Sequence, residues 1–142
     1  MAAYLDTSVL VALFFHEDTS AAARARAGRE NQLWVSRWTL AEFASAAAYK
    51  RRSAQTDEST ALQAKARLQA VLDDGDLQVV DIERQDLERA ATLCEAHASG
   101  LRTPDALHTA VAQRLRLKLI TADRVQAAGC AFHAIDFDLV VG

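Results

Sequence analysis

Residues 102–123, RTPDALHTAVAQRLRLKLITAD, constrain the fold more than any other stretch. They read as one helix feeding one buried strand, with an aspartate at each outer end. Thr103 can cap the helix, and Pro104 suits the first helical position, where no amide hydrogen is needed. Asp105 falls in the first turn, which leaves Leu107, Ala110, Val111 and Leu115 at helical spacing as the buried face. Leu117–Thr121 is a β-prone run closed by Asp123. The helix spans roughly 20 Å and the strand roughly 17 Å, so the lengths match. In a βαβ unit the helix returns antiparallel to the strands, so a helix start and a strand end share one rim of the sheet. Asp105 and Asp123 are therefore expected close together at the carboxyl edge, where open α/β sheets bind ligands.

The amino terminus brings a third acid to the same rim. Ala2–Leu5 is a short apolar strand ending at Asp6, and Thr7 or Ser8 can cap the helix after it. That helix carries Val9, Leu10, Val11, Leu13 and Phe14, is apolar nearly all round, and is expected to be buried. A carboxylate between a buried strand and a buried helix is costly unless it is paired or holds a metal.

The remaining elements follow by the same reasoning. A polar, arginine-bearing helix covers about Thr19–Arg29, and Gln32–Ser36 is the second strand. Ser36 caps a helix from Arg37 to about Arg52, inside which Glu42 sits in apolar company, LAEFA. Glu58–Asp74 is a long helix with Leu62, Ala66, Leu68 and Leu72 as its contacts, stopped by Gly75. Leu77–Asp81 is the third strand, and Glu83 to about Ala98 is a helix. After Asp123 a short helix to Ala128, a stop at Gly129 and a strand over about Ala131–Ile135 are expected, with Asp136–Val141 as a tail able to add an edge strand. The sum is a single domain over residues 1–142, an α/β/α sandwich around a mostly parallel sheet of four to five strands.

Composition narrows the function. Thirty alanines favour helix over strand. Sixteen Lys and Arg against 19 Asp and Glu give a net charge of −3, unlike a dedicated DNA-binding module. Acids gathered around a cation would account for part of that balance. Two cysteines, no visible secretory signal and no apolar run approaching the ~20 residues of a membrane span point to a reduced, cytoplasmic setting. Cys94 and His97 have ligand-like spacing but no second pair, so no zinc site is expected.

Three aspartates in one small space repel one another, and a hard divalent cation relieves this. Mg²⁺ or Mn²⁺ suits oxygen ligands, and Mg²⁺ in particular pairs one or two carboxylates with phosphate oxygens. That points to phosphoryl or phosphodiester chemistry. Topology alone does not place Glu42, which lies about 9 Å into its helix if Ser36 is the cap, so the helix must lean towards the rim. Taken singly, each acid also has a structural reading: Asp6 and Asp123 as caps, Asp105 on a helix dipole, Glu42 as a solvated helix residue. His108 is three residues beyond Asp105 in the same helix, which does not by itself turn it to the site. Arg102 and Arg124 adjoin the site acids and are candidates for phosphate contact or for balancing the site charge. Arg24, Arg26 and Arg29, with Lys50, Arg51 and Arg52, could flank a groove but read equally as solvated faces.

Four short motifs, in this order and spacing, cover essentially the whole chain: Tyr4-Leu5-Asp6-Thr7-Ser8, Glu42 in the helix after the second strand, Pro104-Asp105-Ala106-Leu107-His108, and Leu119-Ile120-Thr121-Ala122-Asp123. In these the sequence resembles PIN-domain ribonucleases, and specifically the VapC-type toxins of toxin–antitoxin pairs. The resemblance implies an acidic site of Asp6, Glu42, Asp105 and Asp123. Asp6 and Asp105 would be the principal Mg²⁺ ligands and Asp123 would complete the first metal site. Glu42 would position the attacking water or help to hold a second metal, with Ser8 and Thr121 as supporting hydroxyls. It also implies a structured RNA substrate, transfer RNA or a ribosomal RNA loop. A cognate antitoxin would insert a basic side chain into the site, and homodimers would build larger complexes that meet promoter DNA only through the antitoxin. Two rivals stand beside it. A haloacid-dehalogenase-like phosphatase would want an aspartate where Ser8 stands. A non-enzymatic regulator is the other: a receiver-like domain could use Asp81 as phosphoacceptor but also needs a lysine beyond Lys118, and none is present, whereas a purely binding PIN scaffold is compatible with the sequence.

Overall fold

The computed structural model describes residues 1–142. Five parallel strands form one sheet: β1 (Ala2–Leu5), β2 (Gln32–Ser36), β3 (Leu77–Val80), β4 (Lys118–Thr121) and β5 (Phe137–Leu139), in the order β3-β2-β1-β4-β5. All four pairings are parallel, with Tyr4 opposite Trp34 on one side and Leu119 on the other. The chain winds outward from β1 through β2 to β3, then crosses back to lay β4 on the free side of β1. The strand order therefore reverses between β1 and β4, and the carboxyl ends of those two strands flank the resulting crevice.

Helices cover both faces. α1 (Thr7–Phe14), α2 (Ser20–Ala27), α3 (Arg37–Arg52) and α4 (Glu58–Asp73) accompany the first two crossovers; α5 (Arg84–Glu95), a 3₁₀ turn (His97–Ser99), α6 (Thr103–Leu115) and α7 (Arg124–Phe132) follow. Strand alternation sorts the core. Ala3 and Leu5 join Val9, Leu10, Phe43 and Leu68 on one face. Tyr4 points to the other and packs with Val111, Leu119 and Cys130.

The expected element order holds, and Gln32–Ser36 and Arg37–Arg52 fall where the sequence puts them. Ser36 caps α3, accepting from the Thr39 amide at 3.3 Å. Several details differ. The cap of α1 is Asp6, not Thr7 or Ser8. α6 begins at Thr103 itself, with Arg102 in the cap position. α4 buries Ala61, Ala64 and Leu68, while Leu62 is 58% exposed and Ala66 is also on the outside. The last helix does not stop at Gly129, and 131–135 is no strand: α7 runs on to Phe132, and the fifth strand is formed within the tail, at Phe137–Leu139. Gly129 is there for close approach, because a Cβ would collide with the Leu101 side chain.

Candidate active site

Asp6 closes β1 and is 4% exposed. One carboxylate oxygen accepts from the Ser8 hydroxyl at 2.5 Å and the Val9 amide at 3.2 Å; the other accepts from the Thr121 hydroxyl at 2.5 Å. Burial pushes its pKa up, opposed by His108 and by these three donors. Asp6 is thus both a helix cap and a site acid. The two readings are compatible because a helix start and the sheet rim coincide here. Ser8 and Thr121 stand where the sequence motifs put them, and Ser8 also accepts from the Ala122 amide at 2.9 Å, which ties the start of α1 to the end of β4.

Asp123 caps α7, accepting from the Val125 amide at 2.8 Å, while its own amide donates to Thr121 Oγ1 at 2.9 Å. Asp105 sits in the first turn of α6. Its carboxyl is pushed up to about 6, first by burial and next by the Asp123 charge, with Asp6 and Glu42 adding to the effect and His108 opposing it. One carboxyl thus senses all three others, which is the electrostatic mark of a shared site. Gln126, fully buried on α7, fixes the pairing of these helices: its Nε2 donates to the Asp105 carbonyl at 3.1 Å and to Thr109 Oγ1 at 3.0 Å.

Glu42 does reach the rim. It accepts from the Thr7 hydroxyl at 2.6 Å and lies 2.5 Å from His108 Nε2. Burial raises its pKa, but the His108 and Thr7 contacts outweigh that and hold it below the ordinary value. His108, 3% exposed, takes Tyr4 as its partner on the other nitrogen, with Tyr4 Oη 2.8 Å from Nδ1. The Tyr4 hydroxyl also meets Ser36 Oγ at 2.9 Å and Thr39 Oγ1 at 3.2 Å, and burial pushes its pKa far up, so it stays a neutral phenol. The sequence singles out neither Tyr4 nor Thr7 as site residues. The available signal was that both flank the Leu5-Asp6 pair that ends the strand.

The donor set suits a hard cation: four carboxylates, supporting hydroxyls, no thiolate, and an imidazole already engaged by Glu42 and Tyr4. The acids do not close on one point as a preformed cage. That suits Mg²⁺, which keeps several waters and takes only one or two carboxylates directly.

The profile of the family described as PIN domain matches residues 3–130. The chain belongs to the PIN-domain family. No curated protein matches its sequence. Solved PIN-like folds align over nearly its whole length. VapBC2 from Rickettsia felis, bound to a promoter DNA fragment, aligns at 17% identity and TM-score 0.68, covering 98% of each chain. VapC20 from Mycobacterium tuberculosis, a toxin that cleaves the sarcin–ricin loop, aligns at 19% and 0.66, covering 91% of this chain and 95% of that one. PAE2754 from Pyrobaculum aerophilum aligns at 26% and 0.62, covering 91% and 87%. In this PIN domain Asp6 ends β1 and Asp123 follows β4, on the two sides of the crevice.

The cationic candidates separate. Arg102 and Arg124 are exposed at the starts of α6 and α7, beside Asp105 and Asp123. Arg26 is committed to ion pairs, held between Glu30 at 2.8 Å and Asp138 at 2.7 Å. Lys50 is likewise held by Glu17 at 2.5 Å.

Proposed function

We propose that this PIN domain, acting as one domain over residues 1–142, is a VapC-type toxin: a Mg²⁺- or Mn²⁺-dependent endoribonuclease that cuts structured RNA, a transfer RNA or a ribosomal RNA loop. What supports the reading is the Asp105 carboxyl near the reversal of strand order, raised to about 6 by burial and by the charges of Asp123, Asp6 and Glu42. Asp6, Asp105 and Asp123 would hold the cation, with Glu42 at the water or at a second ion. A divalent cation there supplies charge neutralisation at the phosphate and acidifies water. The chain's own groups do the rest. Ser8 and Thr121 hold the Asp6 carboxylate in one orientation, and Thr7 and His108 do the same for Glu42. Glu42, kept ionised, accepts the proton of a water attacking phosphorus, and Arg102 and Arg124 meet the flanking phosphates.

The partners follow from the neighbouring folds, several of which are toxin–antitoxin complexes. A cognate antitoxin would cover the acids, homodimers would assemble with it in the cytoplasm, and promoter DNA would be met through the antitoxin. No helix is long and apolar enough to cross a membrane. The rivals lose ground on geometry. Ser8 is committed to Asp6 and offers no carboxyl acid for a dehalogenase-type step. Asp81 follows the edge strand β3 and is paired with Arg37, away from the crevice.

The test is purified chain with bulk transfer and ribosomal RNA. Cleavage that needs Mg²⁺ or Mn²⁺, stops in chelator and is lost in Asp105→Asn supports the assignment. Cleavage indifferent to both chelator and substitution would overturn it.

A further inference from the structure

Beside the acids lies a cavity of about 440 Å³ that the mechanism above does not use. Thr7 and Ser8 form its inner wall, and these hydroxyls donate to Glu42 and Asp6. Its outer wall is Glu17, Tyr49, Lys50 and Gln55. The volume falls within the roughly 300–1,000 Å³ usual for small-molecule sites. Glu42, Ala46, Tyr49 and Lys50 follow at i, i+4, i+7 and i+8 along α3, so they lie along one side of that helix. Tyr49 is about 10 Å along the axis from Glu42.

We propose that this cavity is the subsite for the nucleotide next to the scissile phosphate, with its unpaired base stacked on Tyr49. The inference rests on the ribonuclease reading and adds to it the residues that take a flanking base. Tyr49 leaves 58% of its surface exposed although it adjoins the site, a large uncovered aromatic of the kind on which single-stranded RNA bases stack. The wall behind it is rigid. Lys50 Nζ is 2.5 Å from the Glu17 carboxylate and sits over the Phe15 ring at 5.4 Å. The pair therefore presents a fixed donor and a fixed acceptor to a base edge, with no net charge for a phosphate. One Gln55 amide N–H donates to Ser53 Oγ at 3.0 Å, and its carbonyl oxygen is a further acceptor. The polarity of the walls thus matches the order of the ligand: metal and acids at the cut phosphate, ring and amide at the base.

The experiment uses the full chain, with Tyr49→Ala and Tyr49→Phe, in two measurements. One is cleavage of bulk transfer and ribosomal RNA in Mg²⁺. The other is photo-crosslinking in chelator to a random single-stranded RNA pool carrying 4-thiouridine. Expected is a crosslink in the peptide holding Tyr49 and Gln55. Tyr49→Ala should raise KM about 5- to 100-fold with a smaller change in kcat. Tyr49→Phe should restore KM, and thermal unfolding should be unchanged in both. Crosslinks confined to other surfaces, or a Tyr49→Ala chain with intact KM while the wild-type chain cleaves RNA, would overturn the subsite and leave the ribonuclease standing. A wild-type chain that neither cleaves nor crosslinks would overturn both.

Discussion

Asp105→Asn should make the metal-free protein more stable while abolishing its activity. The carboxyl is raised from 3.8 to about 6, first by burial and then by Asp123. A group whose pKa rises on folding costs nothing below its unfolded value; its penalty grows as pH climbs through the window and is complete above the folded value. A shift of roughly two units corresponds to about 3 kcal/mol. Asp105 lies at a partly solvated rim, so screening reduces this to about 1–2 kcal/mol. For a domain of this size that is a rise in Tm of roughly 3–6 °C. The assay is thermal unfolding in chelator at pH 7.5 and again at pH 3.5. The variant should melt higher at pH 7.5, and the gap should close at pH 3.5, where Asp105 is largely protonated in both states. A variant that melts lower at pH 7.5, or a gap independent of pH, would refute the claim that burial and the neighbouring carboxylates penalise the Asp105 charge.

Other perturbations probe the supports. Tyr4→Phe leaves His108 Nδ1 without its partner at 2.8 Å; thermal denaturation should show a loss of about 1–3 kcal/mol, and RNA cleavage should fall about 10–100-fold as Glu42 loses its backing. Arg114→Ala strips the 1%-exposed Asp86 of contacts at 2.8 and 2.9 Å, and urea unfolding should register about 3–5 kcal/mol with the activity of the folded fraction kept. Arg102→Ala combined with Arg124→Ala should weaken RNA binding about equally across sequences and flatten its salt dependence, read from affinities between low and high salt.

Much of this architecture could be read before any coordinates. Parallel strands, paired crossover helices and three rim aspartates follow from periodicity, because a strand end and a helix start meet at one edge whatever the side chains do. Ser36 as a cap, with Arg37–Arg52 behind it, is local chemistry and was legible for that reason. Glu42 was not placed by topology. Its approach depends on Thr7, His108 and Tyr4, which come from one strand and two helices and meet only in space. Gly129 misled for the opposite reason: a glycine reads locally as a helix stop, whereas here Leu101 packs into the space a Cβ would fill. The buried face of α4 also turned on tertiary packing, since the small Ala61 and Ala64 go inward and Leu62 outward. Asp6 shows that a cap and a proposed catalytic acid need not be rival readings, as the Val9 amide and the Ser8 and Thr121 hydroxyls converge on one carboxylate.

The most direct test of the central claim is to induce the intact chain and Asp105→Asn separately in a bacterial host and sequence all RNA 5′ ends. The account predicts growth arrest with discrete new 5′-phosphate ends in a transfer or ribosomal RNA from the intact chain, and neither from the variant. Arrest and the same new ends from both chains would contradict an acid-dependent ribonuclease.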